Sequence, residues 1–234
     1  MAVWVLRACG HKVGPACRIG FSLLWVDKLL LQGNIRIGHG NLISCRRLCI
    51  GRNGYIGRMN MVHGPLSILL RDTGSIGNSN KIVRGPRHIV APGPAMLLIG
   101  RLGKITANHR LDCTRSVRIG DYSTLAGTGS QIWTHGYVHD ETGAGRYRVD
   151  GSVRIGDNVY IGSACIVTTG VRIAKGVIVG AGATVSSSLT DPGMYVSTGL
   201  RRLNRPPNPD LRTDLQPVVD ARLCERVYLK QVAR

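Results

Sequence analysis

The chain has 234 residues, 31 Lys and Arg against 13 Asp and Glu for a formal charge of +18, and 31 Gly beside a single Phe. That length supports one substantial core. Few segments of this glycine-rich composition read as helical. The positive charge is carried mainly by Arg, which suits bidentate binding of phosphate or carboxylate groups; a compositional bias toward Arg explains the count equally well. These arginines are scattered along the chain without an interleaved aromatic platform or a recognition helix, which argues against nucleic acid as the partner. Cys9, Cys17, Cys45, Cys49, Cys113, Cys165 and Cys224 contain no CxxC pair, so neither a disulfide framework nor a four-cysteine zinc site is indicated. Reduced thiols in a cytoplasmic protein are the expectation.

In chain order, residues 1–33 read as an N-terminal lead-in. Its apolar stretch from Phe21 to Leu31 is interrupted by Asp27 and Lys28 and is too short to span a bilayer. Contact with a membrane surface is the weaker alternative for this segment. A period of six then organises the chain. It links Ile50, Ile56, Val62 and Ile68, then Ile76 with Ile82, Ile99 with Ile105 and Leu111, Ile119 with Leu125, and finally Ile155, Ile161, Val167, Ile173, Val179 and Val185. Val159, Cys165, Val171, Val177 and Ala183 recur four positions after successive rungs of the last block. Short strands of this kind cannot bury their aliphatic side alone, but stacked as coils about 4.8 Å apart they align it in ladders along one interior. Gly follows the rung at Gly38, Gly51, Gly57, Gly77, Gly100, Gly120, Gly156, Gly162 and Gly180, where turns are expected to need positive φ. His39, His63, His88 and His109 lie on these coils and read as solvated or core-edge residues.

The rung spacing fails between Gln131 and Val153, leaving an insertion over 132–152 that contains Trp133, His135, Tyr137, His139, Asp140, Glu141, Arg146 and Arg148. An excursion from a solenoid projects from one face and commonly carries function. Beyond residue 200, Asn204 to Pro209 holds three prolines and reads as a stiff connector. Val218 to Val232 has apolar residues at Val219, Leu223, Val227 and Leu229 and reads as a short amphipathic C-terminal helix.

The run from Ile155-Gly-Asp-Asn-Val-Tyr-Ile-Gly-Ser-Ala-Cys-Ile to Gly180-Ala-Gly-Ala-Thr-Val resembles the final coils of the hexapeptide-repeat acyltransferases, of the O-acetyltransferase type. The resemblance covers residues 34–200 and is strongest from 117 to 200. It implies an all-β fold, a left-handed parallel β-helix, assembled as a homotrimer that takes acetyl-CoA as co-substrate, with no metal. It implies a sugar or glycan acceptor in polysaccharide biosynthesis, with a histidine of the inserted loop as general base. A neutral imidazole has the right intrinsic pKa for that proton transfer. His139 is taken as the base with His135 supporting it; the carboxylate that orients the base is Asp140, Glu141 or one from another coil. Trp133 and Tyr137 form an acceptor-stacking wall or pack an interface. The resemblance places Ser163 and Ala181 against the pantetheine arm of CoA and Arg201 and Arg202 near its phosphates. The chain departs from the family pattern at Ser186-Ser-Ser-Leu-Thr-Asp-Pro, where many relatives have Thr-Lys-Asp. A non-catalytic β-helix acting as scaffold or assembly subunit is the competing reading, because hexapeptide repeats also build such proteins.

Overall fold

A computed structural model describes residues 3–86, 88–197, 208–221 and 226–231. It is a left-handed parallel β-helix of triangular section. The second face of the prism is a sheet of nine short parallel strands running from Arg18–Ile19 to Gly193–Tyr195. The first and third faces form one continuous sheet, because the nine-residue strands Leu23–Leu31 and Leu42–Ile50 bend around the corner between them.

Successive six-residue rungs do not stack on each other; they fall on the three faces in turn. The ladders are made by rungs one full coil apart. On the second face Ile19, Ile37, Ile56, Ile76, Ile105, Leu125, Ile161 and Val179 pair in register. Ile155, Ile161, Val167, Ile173, Val179 and Val185 are all buried in one core with Val159, Cys165, Val171, Val177 and Ala183. This architecture satisfies each backbone group from the coil above or below, while every inward side chain meets an aliphatic neighbour.

The glycines after the rungs have a different cause from the expected one. None of Gly38, Gly57, Gly77 or Gly120 has positive φ. A Cβ on Gly38 would instead lie 2.5 Å from the Gly57 carbonyl oxygen, and one on Gly57 would lie 2.5 Å from that of Gly77. Close approach of stacked corners requires glycine there. The left-handed conformation falls a few residues later, at Asn53, Thr73, Tyr122 and Asn158 on one corner and Met59, Ser79, Asn108 and Ala164 on another.

The prism begins well inside the segment read as a lead-in. Lys12–Val13, Arg18–Ile19 and the first part of Leu23–Leu31 make a first coil, in register with the next. A short helix, Val3–Ala8, closes the open end of the core through Leu6. No helix among the described residues is long and apolar enough to cross a membrane.

The expected C-terminal helix is replaced, among the described residues, by strands Leu215–Pro217 and Val227–Lys230. They extend the inserted hairpin into a four-stranded sheet, with Val227–Lys230 parallel to Tyr147–Asp150. The hairpin offers an unpaired strand edge, and pairing with it satisfies the tail's backbone in a way that an isolated short helix does not. Tyr147, Val149, Leu215 and Tyr228 form a second small core there.

Candidate active site

The insertion leaves the third face after Gln131–Ile132 and returns to the first face at Val153–Ile155. Between them His135–Val138 and Tyr147–Asp150 pair as an antiparallel hairpin, with His135 opposite Asp150 and Tyr137 opposite Arg148. Strand alternation puts Trp133, His135, Tyr137 and His139 on one side. The rings of Trp133, His135 and Tyr137 follow one another edge to face, with centroids 5.7 Å apart for Trp133 and His135 and 6.2 Å apart for His135 and Tyr137. The Trp133 indole N–H donates to Gln131 Oε1, and the Arg110 guanidinium lies over its ring.

The carboxylate that faces a loop histidine is Asp112, one coil upstream at the end of strand Arg110–Asp112. His135 Nδ1 lies 2.9 Å from Asp112 Oδ2. Asp112 is 3% exposed, and three further hydrogen bonds reach its carboxylate. The Thr134 hydroxyl donates to Oδ2 at 2.6 Å, the Thr134 backbone N–H donates to the same oxygen, and the Thr114 hydroxyl donates to Oδ1. Burial pushes this carboxyl up, but the hydrogen bonds from His135 and Thr134 outweigh it and hold the group below its ordinary range. An ionised acceptor at Nδ1 fixes the proton on that nitrogen. Nε2 is left as the basic lone pair, with no hydrogen bond to the described residues.

A buried ion pair supports this arrangement from behind. Arg148 Nε donates to Asp150 Oδ1 at 2.7 Å, with the two residues 2% and 0% exposed. Asp150 Oδ2 accepts from the Ala91 backbone N–H, which ties the hairpin to the smaller insertion after Val83. Arg148 also donates to the Thr114 hydroxyl and to the Tyr137 hydroxyl. Burial works against the Arg148 charge, and the Asp150 carboxylate outweighs it, so its pKa rises. A continuous chain of hydrogen bonds therefore runs from Ala91 through Asp150, Arg148, Thr114 and Asp112 to His135.

The other residues singled out in the sequence are dispersed. His139 is exposed beyond the Tyr137 ring, 6.3 Å between centroids. Asp140 is exposed and accepts from the Glu141 backbone N–H. Ser163 and Ala181 occupy the corner between the second and third faces one coil apart, where the Gly182 N–H donates to the Ser163 carbonyl. Arg201 and Arg202 lie outside the described residues. His109 is buried: its Nδ1 accepts from the Ser130 backbone N–H and its Nε2 meets the Thr106 hydroxyl at 2.9 Å. Sequence reasoning missed Asp112, Thr114, Thr134 and Asp150. Asp112 alone carried a signal, as a carboxylate directly after the aliphatic rung Leu111.

Residues 152–187 match the family model described as bacterial transferase hexapeptide, six repeats. The match falls within the stretch where the hexapeptide-repeat resemblance is strongest. No curated protein matches the chain. Among solved structures it is similar to the polySia-specific acetyltransferase NeuO, at 15% identity and TM-score 0.49, over 83% of this chain and 87% of that one. It is also similar to a hexapeptide-repeat-containing acetyltransferase of Vibrio cholerae O1 biovar eltor complexed with acetyl coenzyme A, at 18% identity and TM-score 0.42, over 67% and 69%. A third is the maltose O-acetyltransferase of Clostridium difficile 630, at 21% identity and TM-score 0.29, over 67% and 70%.

Proposed function

We propose that this chain is a cytoplasmic, homotrimeric acyltransferase that moves an acetyl group from acetyl-CoA to a hydroxyl or amine of a sugar, with His135 as general base and Asp112 as its orienting carboxylate. The observation that carries the reading is the His135 Nδ1 to Asp112 Oδ2 contact of 2.9 Å on a buried carboxylate that Thr114 and Thr134 also hydrogen-bond. It moves the preference from His139 to His135. A buried carboxylate selects one imidazole tautomer and stabilises the imidazolium that forms when Nε2 takes a proton.

In the proposed reaction the acceptor oxygen or nitrogen attacks the thioester carbonyl carbon while Nε2 removes its proton. The tetrahedral intermediate then expels the CoA thiolate, and the imidazolium proton neutralises the leaving sulfur. One acyl bond forms, one carbon–sulfur bond breaks, and His135 returns to its neutral state. Trp133 and Tyr137 flank the imidazole and offer apolar faces to a sugar ring. Ser163 and Ala181 supply small, closely stacked corners along which a pantetheine arm would lie. Arg201 and Arg202 are the proposed phosphate contacts.

Free-thiol release from acetyl-CoA against a panel of sugars and sugar nucleotides tests the proposal. His135→Ala is expected to lower kcat by about 10²–10⁴-fold with CoA-induced thermal stabilisation kept, and His139→Ala to retain most turnover. If no acceptor supports thiol release and CoA does not raise the melting temperature, the scaffold reading replaces this one.

A further inference from the structure

The outward face of the first three coils departs from the polar surface that a solvated solenoid needs. On the third face Leu23, Leu42 and Met61 stack in register and stand exposed, and Trp25 follows one pleat along from Leu23. Phe21 and Met59 continue the patch onto the adjoining corner, where the Met59 sulfur fills the space over Gly40 and the Gly40 N–H donates to the Phe21 carbonyl. Phe21 and Trp25 are each 82% exposed. Farther along the prism the same outward column becomes Lys81, Arg110 and Gln131. On this face the exposed apolar column therefore stops after Met61; a separate one, Tyr160, Ile178 and Met194, stands on the second face at the other end, without the arginine groove beside it.

A cationic cluster borders this patch. Arg18 and Arg36 are register partners on the second face, and Arg58 joins them in lining one groove with His39 and Tyr55. The Phe21 backbone N–H donates to His39 Nδ1, so groove and apolar patch share a corner. Among the described residues no carboxylate pairs with Arg18, Arg36 or Arg58. The first 60 residues contain nine Lys and Arg and one acidic residue, Asp27. In-register like charges repel, and a second anionic surface would relieve them.

We propose that this end of the prism docks on an anionic lipid bilayer, with Phe21, Leu23, Trp25 and Met59 entering the interfacial region and Arg18, Arg36 and Arg58 meeting phosphate headgroups. Exposed aromatic residues partition to the level of the headgroups, and basic residues beside them gain from the negative surface potential. A second copy of the chain fits less well. The chain carries +18 overall, and five of its thirteen acidic residues are already committed: Asp72, Asp121, Asp150 and Asp214 pair with arginines and Asp112 is buried against His135.

Cosedimentation of the full chain with vesicles of phosphatidylcholine alone, and of phosphatidylcholine mixed with phosphatidylglycerol, tests the proposal. Binding is expected to the mixed vesicles, to weaken with salt, and to fall roughly fivefold for each of Arg18→Gln and Arg36→Gln. Trp25→Ser is expected to lower it roughly tenfold, and its fluorescence in the unsubstituted protein to shift to shorter wavelength on binding. Arg118→Gln with Arg154→Gln, on the first face near the other end, removes twice the charge of either single variant and is expected to leave binding nearly unchanged. Equal loss in that control, or binding that ignores lipid charge, overturns the proposal. So does a smaller particle for Trp25→Ser in sedimentation velocity, which would make the patch an interface between copies. Circular dichroism confirms that each variant is folded.

Discussion

Two corners of the prism each hold a histidine, one buried and one half-buried, and the two are held differently. At the corner between the second and third faces, polar side chains rise in a column: Ser22, Asn41, Asn60, Asn80, His109 and Ser130. Each accepts from the backbone N–H of the residue one coil on, at 2.9–3.2 Å across the column. The asparagine amides also donate to the carbonyls of Gly57, Gly77 and Thr106. His109 occupies an asparagine's place, and both its nitrogens are used. At the corner between the third and first faces, the chain leaves the coil and a buried carboxylate meets His135, whose second nitrogen stays available. A histidine whose two nitrogens are both held is architecture; one held at a single nitrogen by an anion has the second nitrogen free for the proposed proton transfer.

The largest expected effect lies in the polar column. Asn60→Ala removes the acceptor of the Asn80 backbone N–H and side-chain N–H and the donor to Gly77. Each stranded buried group costs about 1–3 kcal/mol, so a large fall in melting temperature is expected. Thiol release per folded molecule is expected to stay unchanged, because nothing in this column touches His135. Loss of turnover at temperatures where the variant is fully folded would erase the distinction between the corners.

Asp150→Ala comes next. Leaving Arg148 buried without its carboxylate costs about 3–5 kcal/mol. Because the hairpin and tail share their own small core, hydrogen exchange is expected to show the loss concentrated in 133–152 and 227–230, with the coils protected. Uniform deprotection would mean that the hairpin and prism unfold as one unit.

Asp112→Asn sharpens the comparison at the site itself. The amide keeps an acceptor for His135 but loses the charge that stabilises the imidazolium, and kcat is expected to fall on the order of 10²-fold at nearly constant KM. A change confined to KM would assign Asp112 to acceptor binding.

The coil architecture was legible because a repeat writes the same constraint many times; Ile155 to Val185 displays it in six rungs. The site was legible only as a location. The insertion announced itself by breaking the rhythm, whereas Asp112 belongs to an unbroken stretch and reaches His135 only after the chain has made a full coil. The order of the tail depends on a strand edge that does not exist until the hairpin forms, so local apolar spacing pointed to a helix. The role of His109 was hidden because the partner of its Nδ1, Ser130, is set by coil length and not by any nearby motif, although Thr106 at Nε2 is only three residues away.

The smallest effect belongs to His109 and is best seen through pH. Burial pushes its imidazole below the ordinary value of 6.5. The unfolded chain therefore binds a proton at His109 before the folded chain does, and stability falls as pH drops below 6.5 toward the folded-state pKa. Above 6.5 the contribution is complete and flat. Replacing it by the asparagine used elsewhere in the column keeps an acceptor for the Ser130 N–H and removes the titrating group. His109→Asn is expected to flatten the melting temperature across that window while changing it only slightly at neutral pH, and to leave turnover intact. If the slope survives the substitution, another group carries it, and the division of labour between the two histidines fails at its structural half.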